Sequence, residues 1–380
     1  MKKEGGHFDP IENRDNIYRL AEELKMAERS IIDFSLLVNP LGVSKKIKAE
    51  LRKHLKYLNN YPDPEAGRLR KRLAQYHGVE QNRVVCGNGS TELIHLIVRT
   101  LRPGRALIPA PTYEGYERAI HANQEGHECL IQHFSLNRGN GFLIDPSAFI
   151  AALTMSEASG SATRKPEMRF DMAFLCNPNY PTGRLIKKED VLRIAEASLA
   201  ARCYLVVDEA FMDFTPGHSV VEEVMNNPYL IVLRTMTYFY SLAGLRIGYG
   251  IFPAAVVGEI ERLKEPWTVS YLAQRAAVAA LKDKAYRSET YRVISAEKEF
   301  LEKKFAKLGI EFYPSDANFY LIRTAHVGEV TRYLIERGIF VQDCSRFRGL
   351  DGDHLVVAVK SHKENATLVK ELANLPGEGA

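Results

Sequence analysis

The sequence predicts an α/β protein: a large domain with a mainly parallel sheet covered by helices, joined to a smaller α+β domain. Three observations carry this. Short, continuous apolar runs alternate with amphipathic stretches between residues 66 and 234, the pattern of strands buried on both faces and linked by crossover helices. Polar, Gly- and Pro-containing motifs stand directly after the apolar runs, where open α/β sheets bind ligands. The last third changes to long helices followed by strands and helices over residues 312–375.

Taken in order, residues 1–30 are polar and mostly helical in pattern. Residues 31–35 read as a short strand, ended by Asn39-Pro40-Leu41-Gly42. Ser44 is placed to cap a helix over residues 45–55. Tyr61-Pro62-Asp63-Pro64 is a turn, and residues 66–77 form a helix. Strands follow at 83–86, 105–109, 128–134, 170–176, 203–208 and 229–233, with helices at 93–102, 112–122 and 188–201. Residues 156–167, rich in Ser, Ala and Gly, read as a loop. Residues 255–308 are helical with a bend near Trp267. Strands at 312–323, 338–343 and 354–360 combine with helices at 328–337 and 363–375. The expected division is an arm and part of the small domain at 1–45, the large domain at 46–265 and the small domain at 266–380.

The bulk numbers exclude several classes. The 380 residues suffice for two domains sharing one ligand site. A net charge of +4 without a basic block argues against nucleic acid as a partner. Five scattered cysteines without CxxC spacing argue for reduced thiols in a cytoplasm and against a metal site. Neither a signal peptide nor a membrane span is read from the chain.

Four groups of residues carry candidate chemistry. Gly89-Ser90-Thr91 opens a helix directly after a strand, where free N–H groups and the helix dipole suit a phosphate; a plain N-cap explains the same residues. Asp208 ends a buried strand, where a carboxylate is costly unless paired. Tyr113 follows another strand end. The segment from Leu233 to Tyr249 runs from a strand end through Thr235, Thr237 and Tyr238 into Leu242-Ala243-Gly244-Leu245-Arg246-Ile247-Gly248-Tyr249.

That segment resembles the cofactor-lysine turn of fold-type I pyridoxal phosphate enzymes, and the likeness extends from Asp33-Phe34-Ser35 to the C-terminal helix. Within the class I and II aminotransferases, Asn39-Pro40-Leu41-Gly42, Tyr61-Pro62-Asp63-Pro64, Asp208-Glu209-Ala210-Phe211 and Asp343-Cys344-Ser345 resemble threonine-phosphate decarboxylases of cobalamin synthesis most, then histidinol-phosphate aminotransferases. The resemblance implies an aspartate aminotransferase-like fold with a seven-stranded sheet and a homodimer. It implies that Gly89, Ser90, Thr91, Thr235 and Arg246 hold the cofactor phosphate, with Tyr61 reaching it across the dimer interface. Asp208 would pair with the pyridine nitrogen and Tyr113 would stack on the ring.

The chain departs from the family at the pocket itself. Tyr238 stands where relatives carry the Schiff-base lysine, and a phenol forms no imine. Tyr180 replaces an Asn that bonds the ring oxygen, and Val356 replaces an Arg that grips the substrate carboxylate. Leu36 and Leu37 follow Ser35, where relatives show a small and then a polar residue. Lys187, Lys188 and Lys264 read as surface lysines. Two expectations stand side by side: an impaired enzyme whose cofactor binds non-covalently or not at all, and a non-enzymatic or redesigned protein on the same scaffold whose apolar, aromatic pocket binds a flat small molecule.

Overall fold

A computed structural model describes residues 17–154, apart from 125 and 127, and residues 169–375. The expected loop at 156–167 and the residues before 17 lie outside the described residues. The strands, in chain order, are β1 (Ile32–Asp33), β2 (Val84–Gly87), β3 (Arg105–Ala110), β4 (Leu130–Ser135), β5 (Met172–Cys176), β6 (Tyr204–Asp208), β7 (Leu230–Thr235), β8 (Gly248–Ile251), β9 (Phe319–Arg323), β10 (Ile339–Phe340), β11 (Gln342–Asp343) and β12 (His354–Ala358).

Seven strands form the large sheet in the order β2-β8-β7-β6-β5-β3-β4. Neighbours pair parallel except at β8, which runs antiparallel to β2 and β7. Strands β2, β5 and β7 are buried along their whole length and β6 at every residue after Tyr204, as their apolar runs predict. Register places Cys176 beside Asp208 and Asp208 beside Leu233. The ends of β5, β6 and β7 therefore lie along one edge of the sheet.

A second sheet, β11-β12-β9, forms the small domain, and β1 pairs parallel with β10. The expected strand at 338–343 is split at Val341, so its two halves serve different sheets. The strand expected over 312–323 is extended only at Phe319–Arg323, with an isolated bridge from Phe312 to Ile322. The helical stretch 255–308 is three helices, Ala254–Leu263, Tyr271–Ala280 and Lys284–Leu308, with Trp267 in the left-handed region (φ 63°) at the first break. The helix expected from residue 112 starts at Gly115, which leaves Pro111 to Tyr113 as a loop over the sheet edge. Packing divides within Lys284–Leu308: Tyr286 joins the large core and Ile294 the small one, later than the expected 265/266 boundary.

Candidate active site

The strand ends converge on a cavity of about 330 Å³ lined by Ser90, Thr91, Tyr113, Tyr180, Asp208, Thr235, Tyr238 and Arg246, with Leu36 and Leu37 on the opposite wall. Ten of the predicted positions thus meet in one place, although they are scattered over the chain.

One end of the cavity is built for an anion. The helix Gly89–Leu101 starts there, and the residue at its cap, Asn88, makes no side-chain cap bond. Ser90 and Thr91 are therefore first-turn residues and not caps. Gly89 is left-handed (φ +78°), and a Cβ on it would lie 2.4 Å from Arg246 Nη2. A Cβ on Gly248 would lie 2.3 Å from Ser90 N. These two glycines let the guanidinium and β8 close on the helix start. Arg246 is exposed and forms no ion pair among the described residues. Thr235 Oγ1 donates to Thr237 Oγ1 (2.9 Å), completing a hydroxyl-rich turn beside it. Helix dipole, first-turn N–H groups and an arginine without an ion pair among the described residues are the features of a candidate anion site.

The floor carries the opposite charge. Asp208 is 3% exposed and has no cationic partner among the described residues: Tyr116 Oη donates to Oδ2 (3.0 Å) and the Ala210 N–H to Oδ1 (3.1 Å). Burial pushes its carboxyl up to about 6; the two hydrogen bonds oppose this and the neighbouring Glu209 adds to it. Tyr116 in turn stacks on Phe174, with centroids 4.7 Å apart and 16° between planes. Beneath the site Arg234, 2% exposed, bridges Glu209 (2.7 Å) and Asp213 (2.6 Å) and ties the end of β7 to the loop after β6.

The remaining wall is aromatic. Tyr238 stacks on Phe211 (4.3 Å, 14°), Phe211 meets Phe319 edge-on (5.0 Å), and Tyr180 meets Phe319 and Phe347 edge-on at 5.6 Å. Burial raises the Tyr238 phenol, with Tyr113 and Asp208 adding and Arg246 opposing, so it stays neutral at ordinary pH. Its segment is pinned from behind: Asn39 N donates to Tyr238 O (2.9 Å), and Asn39 Nδ2 to Phe239 O (2.9 Å).

Two predicted residues lie elsewhere. Val356 is fully buried in the small-domain core, against which Tyr180 and Tyr238 pack, and does not line the cavity. Tyr61 is 81% exposed and packs on Trp267 (5.1 Å) outside the cavity. Tyr116, Cys176, Ala210, Phe211 and Ala243 were not singled out from sequence. Phe211 belongs to the Asp208-Glu209-Ala210-Phe211 motif, and Tyr116 lies three residues after Tyr113 in the helix expected over residues 112–122; those spacings were the available signals. No lysine lines the cavity among the described residues. Lys264 borders a different one, Lys188 faces Glu223 at 3.8 Å, and Lys187 is exposed. All five cysteines are buried.

Residues 30–372 match the family profile for aminotransferase class I and II. The chain belongs to that family. It is 32% identical over 364 residues to a threonine-phosphate decarboxylase of Salmonella typhimurium, covering 95% of each chain. Its structure is similar to that of histidinol-phosphate aminotransferase from Clostridium acetobutylicum, with a TM-score of 0.79, 28% identity and coverage of 90% of this chain and 98% of that one. The histidinol-phosphate aminotransferase of Sinorhizobium meliloti, solved in complex with pyridoxal-5′-phosphate, shares the fold at a TM-score of 0.81 and 20% identity, covering 97% of each chain. The family is pyridoxal phosphate-dependent. The residues present fit that group: an anion cradle stands at one end of the cavity and an uncompensated buried carboxylate at its floor.

Proposed function

We propose that this protein is of the threonine-phosphate decarboxylase and aminotransferase type, holds pyridoxal phosphate or its amine form without a covalent bond, and has lost the lysine-dependent steps. The observation that carries the reading is the pairing, in one cavity, of an Arg246 without an ion pair and an Asp208 without a cationic partner among the described residues. Among the described residues no cation balances the buried Asp208 carboxylate.

Ser90, Thr91, Thr235 and Arg246 would hold the phosphate, Asp208 would face the ring nitrogen and Tyr113 would cover the ring. Bound there, the cofactor would supply an electron sink for charge developing next to its nitrogen. Above pH 6 Asp208 is ionised and favours a protonated ring nitrogen. Tyr238 offers a neutral hydroxyl that neither condenses with an aldehyde nor accepts a proton as an amine does. The assembly that accompanies this reading is a homodimer in a cytoplasm, with exposed Tyr61 on the contact surface.

Equilibrium dialysis against pyridoxamine phosphate tests the reading. Wild type should bind about one equivalent per chain. Arg246→Ala should weaken binding by roughly ten- to a hundredfold, the effect of removing a charge-assisted phosphate contact. Equal, weak binding by both proteins would sink it.

A further inference from the structure

A buried carboxylate serves a protonated ring only while it is ionised, and burial drives it toward the neutral acid. We infer that Tyr116, which does not line the cavity, is the positioning residue that keeps Asp208 ionised and correctly turned at the cavity floor. This deepens the cofactor-site reading above and rests on it.

The hydroxyl of Tyr116 is held in place by its ring. Tyr116 is fully buried in the helix Gly115–Ala122. The ring stacks on Phe174 of β5 (4.7 Å, 16°) and meets Tyr113 edge-on (5.4 Å, 87°). These contacts fix where Oη lies, and Oη donates to Asp208 Oδ2 at 3.0 Å. The other polar side chain at that hydroxyl is Cys176, the register partner of Asp208 on β5. Its thiol donates to the Pro178 carbonyl (3.3 Å) and leaves the carboxylate to Tyr116. Oδ1 takes the Ala210 N–H (3.1 Å), so each oxygen has one donor and the carboxylate has one orientation.

The same contacts set its charge. The other titratable groups facing Asp208 are Glu209 beside it, Tyr113 from the loop before the helix, Cys176 of β5 and Tyr238 after β7. Burial pushes the Asp208 carboxyl up, and the Tyr116 hydroxyl opposes this more than the Ala210 N–H does. Burial, with Asp208 adding, also holds the Tyr116 phenol well above its ordinary range, so it is a donor throughout the range in which Asp208 titrates.

Tyr116→Phe removes the hydroxyl and keeps the ring with its contacts to Phe174 and Tyr113. In urea unfolding without ligand, wild-type stability should decline with rising pH until Asp208 is ionised, at about pH 6. In the variant that decline should run on for about one to two further pH units, the effect of losing one hydrogen bond to a charged group. Added to Asp208→Asn, the same substitution should leave the pH dependence unchanged, which assigns the shift to this carboxyl. Pyridoxamine phosphate affinity should fall roughly fivefold or more at about pH 6.5 and return toward the wild-type value above about pH 8.5. The ligand's own ionisations are common to both proteins and cancel in the ratio. An unfolding profile that Tyr116→Phe does not move, or an affinity loss equal at every pH, is what a tyrosine that only packs would give, and either overturns the inference. If the profile moves but neither protein binds pyridoxamine phosphate, the action of Tyr116 on Asp208 stands and the cofactor-site reading falls.

Discussion

Asp208 illustrates how a single side chain can record a function at the expense of stability. In the native state its carboxyl holds a proton up to about pH 6, whereas its ordinary value is 3.8. Between those values the folded chain binds more protons than the unfolded one. The unfolding free energy therefore falls as pH rises through that window, by on the order of 2–3 kcal/mol in total. Asp208→Asn keeps the shape without the charge. Urea unfolding between pH 4 and 8 should show a flatter profile for this variant and greater stability than wild type above pH 6, while cofactor affinity drops. An unchanged pH profile would mean that Asp208 is not the group responsible. At this scale the sequence was partly legible. Asp208, Arg246 and Tyr238 occupy strand ends and turns with fixed spacing, so their convergence could be read without coordinates. Val356 could not be placed that way: alternation along β12 says which residues share a face, not whether that face meets the cavity or the core. Tyr116 was missed because a tyrosine on a helix reads as packing until its carboxylate partner, from a distant strand, is known.

Helix Gly89–Leu101 and strand β8 show what whole elements add. The anion site exists because two backbones approach closely enough for the helix start, Arg246 and the turn after β7 to share one volume. Gly89→Ala would place a methyl 2.4 Å from Arg246 Nη2 at a left-handed position. It should cost about 1 kcal/mol of stability and displace the arginine, cutting pyridoxamine phosphate affinity far more than stability. Gly248→Ala meets backbone and not a mobile side chain, 2.3 Å from Ser90 N, so its main effect should be on stability, read as a lowered urea midpoint. Most strands and helices of the large domain were legible because their apolar runs are unbroken. The small-domain strands were not, since Val341 divides one extended run between two sheets and no local signal marks the change of partner. The helix starts late, at Gly115, where the preceding loop is held by Asn179 instead: Thr112 Oγ1 donates to Asn179 Oδ1 (2.6 Å) and Asn179 Nδ2 to the Pro111 carbonyl (3.0 Å).

At the scale of the molecule, the site lies where two cores meet. The large domain reaches the small one through Arg138 to Asp353 (3.3 Å) and Arg184 to the Pro314 carbonyl (2.8 Å), and the Gly183 turn packs against Ser315. The buried Arg234–Glu209–Asp213 cluster fixes the loop after β6 beneath the cavity. Removing the arginine would strand two carboxylates, so Arg234→Met should destabilise the protein by about 3–5 kcal/mol in urea unfolding. Family membership follows from the class I and II profile match over residues 30–372; the proposed loss of the lysine-dependent steps turns on Tyr238. The most direct measurement is to saturate the protein with pyridoxal phosphate, reduce with borohydride, denature and weigh the intact chain, for wild type and Tyr238→Lys in parallel. The account predicts that native wild type retains the cofactor through gel filtration yet shows no added mass after denaturation, while Tyr238→Lys gains one cofactor-sized adduct. A wild-type adduct on another lysine, or no cofactor retained by the native protein, would contradict it.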